Sequence, residues 1–126
     1  MQKQSQLVDD VFSLQDFDDF IINDTDLLKQ LFDSFSEDLP DRMQGIQNAI
    51  DTNDSDKLRY YSHALKGMSQ TICAIQVKNY ALLLEEMGRH NTMENASVTF
   101  KELKAAIERL EQAIHEMLNK GERNLQ

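Results

Sequence analysis

A single proline, four glycines and no tryptophan leave this 126-residue chain short of turn-forming residues. A β-sandwich or barrel needs many turns, so that shortage argues against both. The one cysteine, Cys73, cannot close an intramolecular disulfide, which fits a reducing compartment. Nowhere do 18 apolar residues follow one another, and Met1-Gln2-Lys3-Gln4-Ser5-Gln6 is not followed by an apolar run of signal-peptide length. The expectation is a soluble cytoplasmic protein with no membrane segment, and the starting Met1 favours a freestanding chain. Positive charge is also scarce, 13 Lys and Arg against 22 Asp and Glu, for a net charge of −9. The deficit lies in the first half: 14 acidic and 4 basic residues through Lys57, but 8 and 9 from Leu58 onward. Such a surface repels phosphate backbones, which excludes nucleic acid as the expected partner, and its plainest reading is a solvated face.

What is plentiful is Leu, Met, Ala, Glu, Gln and Lys, all good helix formers. The length suits one domain with a real core. Residues 1–12 read as a mobile lead-in, polar except for Leu7, Val8, Val11 and Phe12. Ser13 can cap a short helix carrying Leu14, Phe17, Phe20 and Ile21, with Asn23-Asp24 as the turn after it. Thr25 is the expected cap of the next helix. There Leu28, Phe32, Phe35, Leu39, Met43, Ile46 and Ile50 recur at steps of three and four. The stripe keeps its phase through Pro40, which predicts a kinked helix or two abutting ones.

A further helix from Ser55 carries Leu58, Tyr61, Leu65, Met68 and Ile72, with a short break over 71–75. Val77, Ala81, Leu84 and Met87 continue as another, its apolar side widened by Leu82 and Leu83, before a polar loop from Gly88 to Asn95. Phe100, Leu103, Ile107, Leu110, Ile114 and Met117 form a heptad-like seam that Gly121 is expected to stop. The predicted architecture is all-α: an antiparallel up-and-down four-helix bundle with a short additional N-terminal helix, spanning 13–120, and a frayed tail over 121–126.

The stretch Tyr60-Tyr61-Ser62-His63-Ala64-Leu65-Lys66-Gly67 holds the candidate site. At 100° per residue, Leu58, Tyr61, Met68 and Ile72 fall within roughly 60° of Leu65, whereas His63 falls about 160° away. His63 therefore faces water with Asp56, Arg59, Tyr60, Lys66, Gly67 and Gln70 on its side. An inert surface histidine is the bland reading. Gly67 counts against it, because glycine inside a helix costs about 1 kcal/mol relative to alanine. One turn beyond His63, it gives clearance for another protein to approach the ring, and Lys66 can neutralise an anion carried there. A solvated imidazole is mostly neutral at pH 7 and offers one nitrogen as a nucleophile. Phosphoryl transfer needs positioning and charge neutralisation above all.

At these residues the chain resembles the histidine-containing phosphotransfer (HPt) domains. Their motif His-x-Leu-Lys-Gly reads His63-Ala64-Leu65-Lys66-Gly67 here. The resemblance runs from about Leu27 to Leu118. It takes in Asp38-Leu39-Pro40 on the family's kinked second helix, and downstream Leu84-Glu85 and Arg89. It departs at Met68, where a small residue is usual, and at Cys73-Ala74, where the family commonly has Gly-Ala.

The resemblance implies a phosphorelay intermediate. His63 would accept a phosphoryl group from a receiver-domain aspartate and pass it to another, with Lys66 stabilising the phosphohistidine. Gly67 would leave room for the partner, and Arg59, Tyr60, Gln70, Glu85 and Arg89 would line the docking face. Partners would be receiver domains of response regulators and hybrid histidine kinases. No cofactor is implied on this chain, since the Mg²⁺ of such transfer belongs to the receiver, and a monomer is expected. Asp16, Asp18 and Asp19 are candidates for long-range steering of receivers.

Rival readings are weaker. A histidine kinase would have an acidic residue beside its histidine and needs an ATP-binding domain. A di-iron bundle uses Glu-x-x-His pairs, but Glu86…His90 and Glu111…His115 are spaced by four and read as surface contacts. Cys73 and three scattered histidines lack zinc-ligand spacing, so no metal site is expected. A non-catalytic adaptor that binds receivers without taking phosphate is the serious alternative.

Overall fold

The computed structural model describes Val11 and residues 24–125, with side chains through Asn119. Four helices follow one another: α1 (Thr25–Asp51), α2 (Ser55–Thr71), α3 (Ile75–His90) and α4 (Ala96–Leu125). They pack as an all-helical bundle around one core. Its largest fully buried side chains include Leu28, Ile46, Leu58, Leu65, Val77, Leu84, Leu103, Leu110 and Ile114 from these helices, and Ile72 just after α2. The short helix expected from Ser13 lies outside the described residues. Val11, assigned to the lead-in on sequence, is helical and fully buried in the core.

Each connection is tight because one residue takes the left-handed conformation: Asn53 (φ 53°), Cys73 (φ 55°) and Asn91 (φ 53°). Asparagine tolerates that region well. Cys73 does so where the family commonly places glycine, and the turn still closes, with Ala74 N donating to Ser69 O at 2.9 Å. Helix α1 is capped one residue earlier than expected, by Asp24 rather than Thr25, and α2 starts at Ser55 as expected with Asp54 as its cap. The Asp24 carboxylate accepts from Leu27 N at 3.0 Å, and that of Asp54 from Lys57 N at 3.1 Å. Asp competes at least equally with Ser and Thr for this position and adds charge at the positive end of the dipole.

Pro40 does not divide α1, which runs unbroken on both sides of it. Three further expectations are corrected. Gly88 belongs to α3 and is buried, so the loop after it is only Asn91 to Asn95. Helix α4 runs through Gly121 to Leu125, since a lone glycine weakens a helix without terminating it. Leu82 and Leu83, read as widening the apolar side of α3, are 38% and 50% exposed instead. The buried side of that helix is Val77, Ala81, Leu84, Glu85 and Gly88.

Gly88 sets the spacing that matters for the site. A Cβ there would lie 2.6 Å from Arg59 N and 2.7 Å from Ser55 O, both backbone atoms of α2. The first turns of α2 and the end of α3 therefore approach backbone to backbone. One turn further along α2, that closeness lets a side chain of α3 reach His63. No helix of the described residues is long and apolar enough to cross a membrane.

Candidate functional site

His63 projects from the outer face of α2 with 68% of its side chain exposed, as the helix phase requires. Its Nδ1 is not free. It lies 2.8 Å from Oε2 of Glu85, which reaches across from α3 and is only 3% exposed. The same carboxylate ion-pairs through Oε1 with Lys66 Nζ at 2.7 Å, and through Oε2 with Arg89 Nη2 at 3.3 Å. Lys66 is 22% exposed and Arg89 42%. One buried anion thus holds three basic side chains from two helices.

The protonation of Glu85 follows from its surroundings. Burial pushes its pKa up, but hydrogen bonds to Lys66 and His63, with the charges of both, outweigh that and leave it lowered. Glu85 is therefore an ionised carboxylate at neutral pH, able only to accept. The proton of a neutral His63 must then sit on Nδ1, which donates to Glu85 and leaves the Nε2 lone pair facing solvent. The carboxylate also fixes the ring plane and can offset positive charge that develops on the imidazole, as the aspartate of a catalytic triad does.

Gly67 lies one turn on, exposed, and nothing stands within 4 Å of where its Cβ would be. The fold has no use for a glycine at that point. Arg59, Tyr60 and Gln70 are exposed on the same side of α2, and Arg89 is half-exposed on α3. Glu85 needs a correction. It was expected on the docking face, but at 2% residue exposure it offers no surface to a partner and instead orients His63 from beneath. Lys66 is likewise engaged by Glu85 rather than free in solvent.

The role of Glu85 was missed, although a signal existed. It stands in phase with Val77, Ala81, Leu84 and Gly88, and a carboxylate on a core phase requires a charged partner. The other histidines differ. His90 uses Nε2 in a 3.3 Å pair with Glu86 on its own helix, and His115 is exposed on α4. Among the described residues no group of three or more His, Cys, Asp or Glu side chains is placed to hold a metal ion.

A helical bundle that clamps one imidazole nitrogen and offers the other to solvent presents the site of a group carrier. The chain belongs to the Hpt domain family, whose model matches residues 30–113, from early α1 to the middle of α4. No curated protein matches it. Membership brings a role in phosphotransfer within two-component phosphorelays, where Hpt domains interact with receiver domains.

Proposed function

We propose that His63 is the phosphoacceptor of a phosphorelay intermediate that exchanges phosphoryl groups with receiver-domain aspartates. The observation that carries this is the buried Glu85, 2.8 Å from His63 Nδ1, which leaves Nε2 as the exposed nucleophile. Nε2 forms a bond to phosphorus as the bond from phosphorus to the aspartyl oxygen breaks. The electron pair of that bond returns to the aspartate carboxylate. The Nδ1 proton stays toward Glu85, whose negative charge stabilises the phosphorylated ring. Reversal of these steps delivers the group to a second receiver. Lys66, held by the same carboxylate as His63, supplies positive charge toward the phosphoryl oxygens, and Gly67 admits the partner backbone. The Mg²⁺ that assists transfer is the receiver's, and this chain contributes no cofactor and no kinase activity.

The reading carries an antiparallel up-and-down arrangement in which α2 and α3 run side by side. Gly88 against Ser55 and Arg59, and Glu85 against His63 and Lys66, support it. It also carries a monomer that acts in the cytoplasm. Incubation with a phosphorylated receiver is expected to place an acid-labile, alkali-stable label on the wild-type chain and none on His63→Gln. If no receiver of the host labels the wild type, the chain is an adaptor that binds receivers without taking phosphate. Label on His63→Gln would move the acceptor elsewhere.

A further inference from the structure

Beside His63 stands an aromatic feature that the transfer chemistry does not use. Tyr60 is 66% exposed, more than Leu82, Leu83 or Val98, the other large hydrophobic residues on the described surface. Its ring is nevertheless held. It meets the Tyr61 ring edge-on, with centroids 5.1 Å apart and planes at 87°. Such edge-to-face pairs are favourable in their own right. Tyr61 is partly buried against the core, and its ring lies on Gly45 of α1. A Cβ at residue 45 would collide with three carbons of that ring. Gly45 is a buried glycine inside a long helix, where only proline is a poorer helix former. Its place is explained by the tyrosine that lies on it.

We infer that Gly45, Tyr61 and Tyr60 form a braced aromatic platform on which the receiver domain seats. Tyr60 is the affinity anchor, and Gly45 and Tyr61 are positioning residues that act through it. The inference rests on the transfer reading above. Tyr60, His63 and Gly67 succeed one another at three and four residues along one face of α2, so Tyr60 lies only about 5 Å along the helix axis from the acceptor. A specific interface covers roughly 800 Å² on each partner. A receiver that delivers phosphorus to Nε2 over Gly67 therefore covers Tyr60 as well. Tyrosine is enriched among the few residues that dominate binding, and a ring already braced loses less freedom on contact than a loose one.

The experiment measures the rate of label transfer from a phosphorylated receiver as a function of receiver concentration. Tyr60→Ala is expected to raise the half-saturating concentration about tenfold while the rate at saturation holds. Tyr60→Phe, which keeps the ring, stays close to wild type. Gly45→Ala, which displaces the Tyr61 ring, shows the same kind of defect, and adds nothing further in a Tyr61→Ala background. An unchanged half-saturating concentration in Tyr60→Ala overturns the platform while labelling of wild-type His63 leaves the transfer reading standing. A lower rate at saturation with unchanged half-saturation overturns it too, since Tyr60 would then serve the chemistry rather than docking. Should Gly45→Ala fail to fold, the surface substitutions at Tyr60 still decide. Absence of label on the wild type defeats the underlying reading, and the platform with it.

Discussion

Gly67 separates what the fold needs from what the site needs. Nothing touches the position its Cβ would take, so alanine there relieves the helix of a poor former without a clash. Gly67→Ala is expected to raise the free energy of unfolding by about 0.5–1 kcal/mol. Gly67→Gln, whose side chain stands over the approach to His63, is expected to slow transfer at least about tenfold while remaining folded. Thermal unfolding beside a transfer assay tests both, and a Gln variant that transfers at the wild-type rate would remove clearance as the reason for the glycine. The residues of α2 were legible in the sequence because they obey one helical phase. His63 opposite Leu65 and Gly67 a turn beyond follow from counting at 100° per residue. Glu85 was legible only in part. Its position in the chain was clear, but its contact with His63 spans 22 residues and two helices. Helix phase says which side a residue faces, not which residue of a neighbouring helix it meets.

At the scale of elements, the pairing of α2 with α3 decides the site. Gly88 was read as the start of a polar loop that runs to Asn95. The helix end is three residues later, where left-handed Asn91 turns the chain and Thr92 N donates to Met87 O at 2.9 Å. Gly88 instead serves close helix packing, a property that only the neighbouring helix reveals. Gly88→Ala therefore has the opposite sign to Gly67→Ala. Its Cβ would meet backbone atoms of Arg59 and Ser55 that cannot swing aside, so α2 and α3 must part. The expected cost is about 1–3 kcal/mol. Because His63 and Glu85 sit on the two parted helices, transfer should fall as well. Denaturant unfolding of the two alanine variants side by side is the check, and a Gly88→Ala variant as stable as wild type would show that the helices do not rely on that contact. The helices themselves were easier to read than their ends. The stripes of α1, α2 and α4 persist over many turns, whereas caps and stops turn on single residues such as Asp24, Asp54 and Gly121.

Across the whole molecule, stability and function share one carboxylate. Glu85 has a lowered pKa in the fold, because Lys66 and His63 together outweigh the cost of its burial. A carboxylate lowered on folding contributes stability above its ordinary value, here 4.5, and loses it as pH falls through the folded value. The remainder of the chain pulls the other way. With a net charge of −9, protonating exposed carboxylates relieves self-repulsion, so the pH profile of the wild type alone mixes two opposed effects. Comparison with Glu85→Gln separates them, because the surface carboxylates are common to both proteins. Near neutral pH the variant leaves Lys66 and Arg89 without their shared anion and is expected to be less stable by roughly 1–3 kcal/mol. That gap should be widest at neutral pH and narrow as the pH falls below about 4.5, where Glu85 becomes protonated first in the unfolded chain and then in the fold. Chemical denaturation of both proteins from about pH 7 to about pH 3 measures it. A gap that stays constant over this range would mean that Glu85 is not held ionised by its basic neighbours, and the assignment of the His63 proton to Nδ1 would fall with it.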